Sequence, residues 1–395
     1  MAVRADVVVV GGGPVGCYSG LLLARSGFSV VVMEEHLEVG NPACCAGVVG
    51  VRGLKKMGVS YSPHVLSKLR RAIVHSPSGH SVEIGRGRVE AVVINRAGFD
   101  RTISEDAEAA GARLITGARC VGLKIGKTVR AEFRGKCSGS VEADLVLGAD
   151  GAASRVARMA EISKKRSYIL CAQTELKGQC EEDAAEIFLG RKYARGFFGW
   201  MVNAGGRCRI GTGTLEGSPL TSLQNLVRMN PALRGRVRGK IVPCARPIPN
   251  FFIRKPFGRK VMLVGDAAGQ VKPLTGGGIW MGLRCAHIAA GVAAEYLRDG
   301  RTDLSEYGKA VDKIFGREIY LGQIARRIFR GMSDDDLDKA VRLLDGGMKK
   351  IVCENFDFDH HGRLISALMK KIPDVVAEVG LRGALIGASA FFKGK

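Results

Sequence analysis

The first 150 residues alternate between short apolar runs and segments of helical character. Apolar runs at 6–10 and 29–33 enclose a helical segment at 18–24, and this order predicts a βαβ unit. Further strands of the same apolar character are predicted at 91–94, 112–115 and 145–148, with a helix at 96–110. This part of the chain is therefore expected to form an α/β domain of Rossmann type.

The second half of the chain changes character twice. Residues 169–213 are rich in strand patterns, a buried strand returns at 261–264, and a helix starts near residue 279. From residue 304 onward, apolar positions recur at helical spacing, namely Val311, Ile314, Leu321, Ile324 and Ile328.

These patterns predict a mixed α/β (α+β) fold with one discontinuous domain. We expect the Rossmann-type domain at 1–70, 90–165 and 245–300. An inserted antiparallel-sheet substrate domain is expected at 71–89 and 166–244, and a helical C-terminal region at 301–395.

A glycine-rich loop follows the first strand of the βαβ unit. In the GxGxxG pattern, Gly11 suits a tight turn, Gly13 lets the backbone approach a pyrophosphate, and Gly16 lets helix and strand pack closely. Glu34 ends the second strand, where its carboxylate can accept hydrogen bonds from a ribose diol and would repel the extra phosphate of NADP. The order of strand, loop, helix, strand and acid favours a dinucleotide site over a glycine-rich packing turn.

The chain carries a large positive charge. Among 395 residues, 60 Lys and Arg exceed 38 Asp and Glu, which gives a formal net charge of +22. Such an excess favours anionic partners. Aromatic residues are few, and no RNA- or DNA-binding motif interleaves with the basic runs, so a negatively charged membrane surface is favoured over nucleic acid as the partner. The alternative is that the basic residues only form solvated faces. Glycines interrupt any apolar run long enough to span a bilayer, so no membrane-spanning segment is expected.

The eleven cysteines show no CxxC pair and no disulfide-like spacing. Their odd number and the lack of a signal peptide indicate unpaired thiols in a reducing cytoplasm. No cluster suggests a metal site.

The segment Pro42-Ala43-Cys44-Cys45-Ala46-Gly47 narrows the class of nucleotide binder. It resembles the Pro-x-x-Cys-Ala/Gly element of the geranylgeranyl reductase family, flavoproteins of the p-hydroxybenzoate hydroxylase fold, with Cys45 in the cysteine position. The resemblance covers about 6–329 and includes Asp150-Gly151, Gly265-Asp266 and the triple glycine at 276–278. Of the family's Tyr-x-Trp-x-Phe-Pro pattern, which lines the lipid pocket, only Trp200 is retained.

The resemblance implies FAD as cofactor and assigns contacts to it. Asp266 would bind a ribityl hydroxyl, unless it only caps a turn, and the peptide N–H groups of Gly278 and Ile279 would face the pyrimidine edge. Arg96 resembles the arginine that reaches the phosphate or ribose region, with a surface salt bridge as the alternative. Asp150 would shape the pyrophosphate region or form an ordinary turn. Backbone contacts are expected from Val15, Ala46, Val48 and Cys120.

Cys45 is a candidate for the chemistry, and an ordered water or a side chain of the substrate domain is an alternative source of the proton. A thiol beside the isoalloxazine ring would orient substrate, donate a proton or tune the flavin, whereas the alternative is a small buried apolar side chain. Cys44 is interpreted as incidental, because adjacent cysteines rarely form a disulfide without strain.

The function implied by the resemblance is reduction of prenyl C=C bonds by hydride from reduced FAD with protonation of the other carbon. The substrate would be a geranylgeranyl chain on an archaeal-type glycerophospholipid or its diphosphate. The electron donor would be external: NAD(P)H, a ferredoxin or a deazaflavin. Two alternatives are an FAD-dependent monooxygenase or halogenase, and a flavin electron-transfer protein at the membrane.

The end of the chain suggests a peripheral membrane contact on the inner face of the cell membrane. Leu364, Ile365, Leu368, Met369 and Ile372 have helical spacing beside two lysines, and 384–392 is largely apolar. The alternative is core packing of terminal helices.

Overall fold

The computed structural model describes residues 2–136, 138–163, 166–300 and 303–371. Within these residues the strands, in chain order, are β1 (Ala2–Arg4), β2 (Val7–Val10), β3 (Val30–Met33), β4 (Val48–Gly50), β5 (Val65–Leu69), β6 (Arg71–His75), β7 (Ser81–Gly85), β8 (Ala91–Ile94), β9 (Arg113–Ile115), β10 (Ala118–Ile125), β11 (Val129–Gly135), β12 (Gly139–Ala143), β13 (Leu145–Gly148), β14 (Tyr168–Gly178), β15 (Ala184–Phe188), β16 (Gly199–Asn203), β17 (Cys208–Thr214), β18 (Val237–Arg238), β19 (Cys244–Pro249), β20 (Phe257–Gly258) and β21 (Val261–Leu263).

The α-helices, in the same order, are α1 (Pro14–Arg25), α2 (Val51–Met57), α3 (Arg96–Ala109), α4 (Val156–Met159), α5 (Pro219–Met229), α6 (Ile279–Asp299), α7 (Ser305–Gly331), α8 (Asp334–Asp345), α9 (Met348–Asn355) and α10 (Gly362–Lys370). Three short 3-10 helices lie at Ser62–His64, Pro231–Leu233 and Gly265–Ala268.

The central sheet has six strands in the order β20-β21-β13-β2-β3-β9. Its pairs are parallel apart from β20 with β21. The middle strand β2 consists of four buried valines, and β-branched side chains suit a strand that is covered on both faces. The predicted strands at 6–10, 29–33, 112–115, 145–148 and 261–264 are confirmed to within one residue at each end, as is the helix at 96–110.

Successive side chains of the central sheet enter two different cores. Val7 and Val9 pack in a cluster with residues of α1, α3 and α6. Val8 and Val10 belong to a second cluster, which includes the four-stranded sheet β1-β12-β11-β10. The alternation follows from the two-residue period of a strand. The sheet is thus buried between helices and a second sheet.

The cap sheet consists of β18-β14-β17-β16-β15-β6-β7, with β19 paired to β14. Its pairs are antiparallel except β15 with β6. Helix α5 covers one face, where Leu223 and Leu226 join Met201 and Ile210 in a buried cluster. The strands come from two separate parts of the chain, 71–85 and 168–249. The exact domain boundaries stay a prediction.

A small sheet, β4-β8-β5, stands apart from the central sheet. The predicted strand Ala91–Ile94 is confirmed as β8, and it lies here between β4 and β5. Since β4 directly follows the Cys45 segment, this sheet anchors the carboxyl end of that segment.

The region after residue 303 is helical, as predicted. Val311, Leu321 and Ile324 of α7 are buried, whereas Ile314 is 40% exposed. Ile365 of α10 is buried as well, which supports core packing for that helix. The predicted positions Ile372 and 384–392 lie outside the described residues. Among the helices of the described ranges, none combines the length and apolar character needed to cross a membrane.

Candidate active site

The glycine loop between β2 and α1 leaves room for a ligand at one point. Gly11 has φ +107°, and a Cβ added there or at Gly16 would overlap backbone atoms of Ala149 or Gly11, respectively. A Cβ added at Gly13 would meet no atom within 4 Å. Two glycines are therefore required by packing, and Gly13 faces open space at the N-terminus of α1, as a pyrophosphate site needs.

Glu34 lies against this loop. Its Oε2 accepts a hydrogen bond of 2.7 Å from the amide of Gly12, and its Oε1 accepts from the amide of His36 at 2.9 Å. The His36 ring nitrogen Nδ1 lies 2.6 Å from the same Oε1. The carboxylate is thus fixed beside the loop, where a ribose would lie. Sequence analysis did not identify His36, whose only signal is its position two residues after Glu34.

Asp150 adjoins the other side of the glycine loop. Its Oδ2 accepts hydrogen bonds from the amides of Arg155 and Val156, at 2.6 and 3.0 Å, while its buried Oδ1 has no partner among the described residues. Burial raises the pKa of this carboxyl group. Cys120 is buried nearby, and burial together with the Asp150 charge raises its pKa to about 11. An unpartnered buried oxygen at this place fits a site that binds a polar group.

The Gly265-Asp266 turn meets the N-terminus of α6. A Cβ on Gly278 would lie 2.9 Å from Oδ1 of Asp266, so the two are in contact. The amides of Gly278 and Ile279 belong to the first turn of a helix of 21 residues, where N–H groups have no intrahelical partner. Burial raises the pKa of Asp266 to about 6, and the Arg96 charge opposes that rise.

Val15 connects the glycine loop to this turn. A Cβ on Gly265 would lie 3.2 Å from its Cγ1, and one on Gly282 would lie 2.6 Å from its Cγ2. The Val15 side chain therefore packs between α1 and α6. Val48 begins β4 and packs against the buried cluster of Val93 and Val202.

Arg96 is largely buried near Cys45. Its Nε and Nη2 donate to the two oxygens of Asp100 at 3.0 and 2.8 Å, and Cys45 lies close enough to interact electrostatically with the guanidinium. Burial lowers the pKa of Arg96, but the Asp100 carboxylate and Cys45 outweigh this effect and raise it. The Arg96–Asp100 ion pair is thus largely internal. Arg96 also lies close enough to Cys45 and Asp266 to interact electrostatically with both.

The cap sheet holds the Cys45 segment at several points. Gln173 Nε2 donates to the carbonyl of Cys45 at 3.0 Å, and Arg209 Nη1 donates to the carbonyl of Ala46 at 2.9 Å. Cys44 forms a disulfide with Cys244 of β19. The expectation that Cys44 is incidental, and that the cysteines are unpaired, is therefore wrong. The partner lies 200 residues away, so local spacing gave no sign of it.

The sequence around Gln173 carries a signal of this contact. It is a polar residue in line with Ile169 and Cys171, two positions apart along one face of β14. A polar side chain on an otherwise apolar buried face indicates a specific hydrogen-bonding role. Neither Arg209 nor Cys244 shows a comparable signal.

Trp200 lies in an apolar cluster next to the Cys45 segment. The cluster is built from buried Ile169, Cys171, Phe197 and Trp200, with Ala46, Ile187, Phe198, Leu215 and Ile248 packed against it. The rings of Phe198 and Trp200 meet edge to face, with centroids 6.3 Å apart. The Cys45 segment therefore lies between Arg96 and an apolar wall.

Comparisons with known proteins agree with this geometry. A family model described as FAD binding domain matches residues 4–207. The digeranylgeranylglycerophospholipid reductase 2 of Methanothermobacter thermautotrophicus is 32% identical, over 87% of this chain and 92% of its own length. The digeranylgeranylglycerophospholipid reductase of Methanothrix thermoacetophila is 34% identical, over 86% of this chain and 91% of its own.

Solved structures show the same fold. A geranylgeranyl bacteriochlorophyll reductase-like protein from Thermoplasma acidophilum superposes with a TM-score of 0.85 at 22% identity, over 96% of this chain and 99% of its own. The p-nitrophenol 4-monooxygenase of Pseudomonas putida reaches 0.70 at 18% identity, over 94% and 98%. The open space at Gly13 and the unpartnered oxygen of Asp150 fit FAD, the cofactor of this fold. The chain belongs to the geranylgeranyl reductase family of FAD-dependent oxidoreductases.

Proposed function

We propose that the protein reduces C=C double bonds of geranylgeranyl chains on archaeal-type glycerophospholipids or their diphosphate precursors. The observation that carries this proposal is the position of Cys45, between the Arg96 and Asp266 side of the site and the apolar cluster around Trp200. A prenyl chain has no polar group along its length, so an apolar wall beside the flavin site suits it. The names of the two archaeal relatives support the same substrate class.

In this proposal the cofactor is held by the residues described above. Gly11, Gly13 and Gly16 with Asp150 bind the pyrophosphate region, and Glu34 binds the adenosine ribose. Asp266 accepts a hydrogen bond from a ribityl hydroxyl. The amides of Gly278 and Ile279, at the positive end of the α6 dipole, favour negative charge at the pyrimidine edge. Bound FAD supplies the hydride when it is reduced.

The chain's own residues supply alignment, dryness and a proton. An isolated alkene resists hydride attack, so close alignment in a water-poor pocket is needed. Cys45 is proposed as the residue that gives up a proton. The Arg96 guanidinium, which lies near Cys45, would stabilise the resulting thiolate.

Electrons are proposed to come from an external donor, NAD(P)H, a ferredoxin or a deazaflavin. The glycine loop at Gly11 is the one GxGxxG dinucleotide motif identified in the sequence, and it is assigned here to FAD. A titration of the oxidised protein with each donor, followed by the bleaching of flavin absorbance, identifies the one that reduces it.

The reaction is tested without oxygen. The FAD-loaded protein is reduced chemically, a geranylgeranyl lipid is added, and flavin reoxidation is followed together with product mass. Reoxidation with a gain of two hydrogens per double bond is expected. Flavin that stays reduced until oxygen enters would contradict the proposal and favour oxygen chemistry.

We also propose that the protein meets its lipid at a membrane surface through electrostatic attraction. The net charge of +22 supports an anionic surface as partner. Co-sedimentation with vesicles of phosphatidylglycerol, but not of phosphatidylcholine, is expected, with loss of binding at high salt. Equal binding to both vesicles would contradict this.

A further inference from the structure

Three residues of the cap sheet stand in one row that faces the Cys45 segment. Gln173 of β14 pairs with Gly211 of β17, and Gly211 pairs with Trp200 of β16. Directly paired residues project to the same face of a sheet. Because Gln173 donates to the Cys45 carbonyl, this is the face that meets the candidate active site.

Gly211 lets the two side chains of the row approach each other. A Cβ on Gly211 would lie 2.8 Å from the Cβ of Gln173 and would overlap Cζ2 and Cε2 of the Trp200 indole. The indole therefore lies across the glycine toward Gln173.

Both side chains keep one unpaired polar atom in this place. Gln173 Oε1 and Trp200 Nε1 are buried with no partner among the described residues. The side chains are only 7% and 9% exposed. A buried polar atom without a partner costs about 1–3 kcal/mol, so two of them on side chains that approach each other across Gly211 point to a ligand.

The pair of atoms specifies the chemistry of that ligand. The amide oxygen only accepts a hydrogen bond, and the indole N–H only donates one. A group that satisfies both must accept and donate, which a hydroxyl group does and a prenyl chain does not. The surrounding side chains of Ile169, Phe197 and Ala46 are apolar, so they offer such a group no other partner.

We propose that Gln173 and Trp200 bind one hydroxyl group, that of a water molecule, and that this water carries the proton to the alkene. The inference rests on the proposed function and deepens it. Bound reduced FAD would supply the hydride to one alkene carbon, while an O–H bond of the water would break and a C–H bond would form at the other carbon. The water regains a proton from the Cys45 thiol, and the thiolate stays beside Arg96 until solvent protonates it.

The test removes the indole N–H and keeps the aromatic ring. Trp200→Phe is compared with Trp280→Phe, which removes an equally unpaired indole N–H that packs against Phe315 and His360. Single-turnover flavin reoxidation is measured anaerobically in H2O and D2O. Geranylgeranyl diphosphate serves as substrate, because it has no alcohol hydroxyl that could occupy the site itself.

For Trp200→Phe we expect reoxidation slowed at least about tenfold and a larger solvent isotope effect, since proton transfer becomes limiting. FAD affinity, the flavin spectrum and substrate KM should stay near wild type, and Trp280→Phe should match wild type throughout. Gln173→Met removes the acceptor together with the hydrogen bond to the Cys45 carbonyl, so it should show the same two changes, and it serves if Trp200→Phe does not fold.

Three results would overturn the inference. One is wild-type rate and isotope effect in both variants. Another is a raised KM with an unchanged isotope effect, which means that Trp200 only packs against the chain. A third result, rescue of Trp200→Phe by a lipid with a free hydroxyl, assigns the site to substrate instead of water and overturns the proton-carrying role. If wild type itself is not reoxidised by the lipid, the proposed function fails first.

Discussion

Arg209 and Ala46 join the cap sheet to the Cys45 segment through a hydrogen bond of 2.9 Å from Nη1 to the carbonyl oxygen. Nε of the same guanidinium donates to Glu175 at 2.9 Å, which fixes its orientation. Gly47 passes so close that a Cβ there would lie 2.8 Å from Nη1, and its φ of +75° suits glycine. The position of Cys45 therefore depends on β17, the strand of the cap sheet that carries Arg209.

Arg209→Met should lower the rate of flavin reoxidation by lipid about tenfold. The Ala46 carbonyl loses a charge-assisted hydrogen bond, typically about 1.5–3 kcal/mol, and the segment loses its alignment. FAD affinity should change less than the rate. Arg207→Met is the matched control, since Arg207 also contacts Glu175 but is exposed and does not reach the segment. Equal loss in both variants would show that the effect runs through Glu175.

Cys45→Ser and Cys45→Ala should lower turnover while FAD stays bound. A serine hydroxyl gives up its proton far less readily than a thiol, and alanine has none to give. Stopped-flow reoxidation reports turnover, and flavin absorbance after gel filtration reports retention of FAD. Unchanged turnover in both variants would remove Cys45 from the chemistry.

Removing the disulfide should destabilise the protein. The Cys44–Cys244 bond closes a loop of 200 residues, and loss of a native disulfide typically costs about 2–4 kcal/mol. The double variant Cys44→Ser/Cys244→Ser should therefore unfold at lower urea concentration than wild type. Added reductant should shift wild type to the position of the variant.

Cys353→Ser is the control for the disulfide, because this partly exposed cysteine is free. It should unfold like wild type with and without reductant. A reductant effect of the same size in the double variant would show that another cysteine pair is responsible.

Asp266→Asn should stabilise the protein without FAD and weaken FAD binding. Burial raises the pKa of this carboxyl from 3.8 to about 6, so the folded protein holds a proton that the unfolded chain releases as pH rises between these values. Above pH 6 the buried negative charge of Asp266 lowers the free energy of unfolding by about 3 kcal/mol, because each pKa unit between the unfolded and folded states corresponds to about 1.36 kcal/mol. Urea unfolding of the apoprotein should show the gain at pH 7 and none at pH 4.

Asp299→Asn is the control, since Asp299 is an exposed carboxylate at the end of α6. The interpretation of Asp266 would be wrong if the gain in Asp266→Asn were equal at both pH values. Unchanged FAD affinity would instead remove Asp266 from the ribityl contact.

Acid should destabilise the protein through His361. Burial lowers the pKa of this imidazole from 6.5 to about 3, with the Lys272 charge adding to the effect. Between these values the unfolded state binds the proton and the folded state does not, so stability falls as pH falls. The loss between pH 6.5 and pH 5 is about 2 kcal/mol, and His361→Gln should remove that part of the slope. An unchanged slope in the variant would contradict the assignment.

Local sequence patterns determined the main strands, helices and turns of the first domain. The valine-rich runs of β2 and β3, the glycines of the loop and Glu34 lie within 30 residues, and each has a periodic or positional signal. The helix that starts at Arg96 and the turn at Asp266 were likewise visible, because strand ends and helix starts follow apolar periodicity. The Cys45 motif identified the family through its resemblance to a short known pattern.

Only the tertiary structure decided what surrounds Cys45. The ties from Gln173, Arg209 and Cys244 reach back over 128, 163 and 200 residues, and each depends on the register of an antiparallel sheet. A shift of one residue would turn these side chains to the opposite face, and no local pattern states the register. Arg96 shows the same limit, since its sequence position located a helix start but not its contact with Cys45 across the fold.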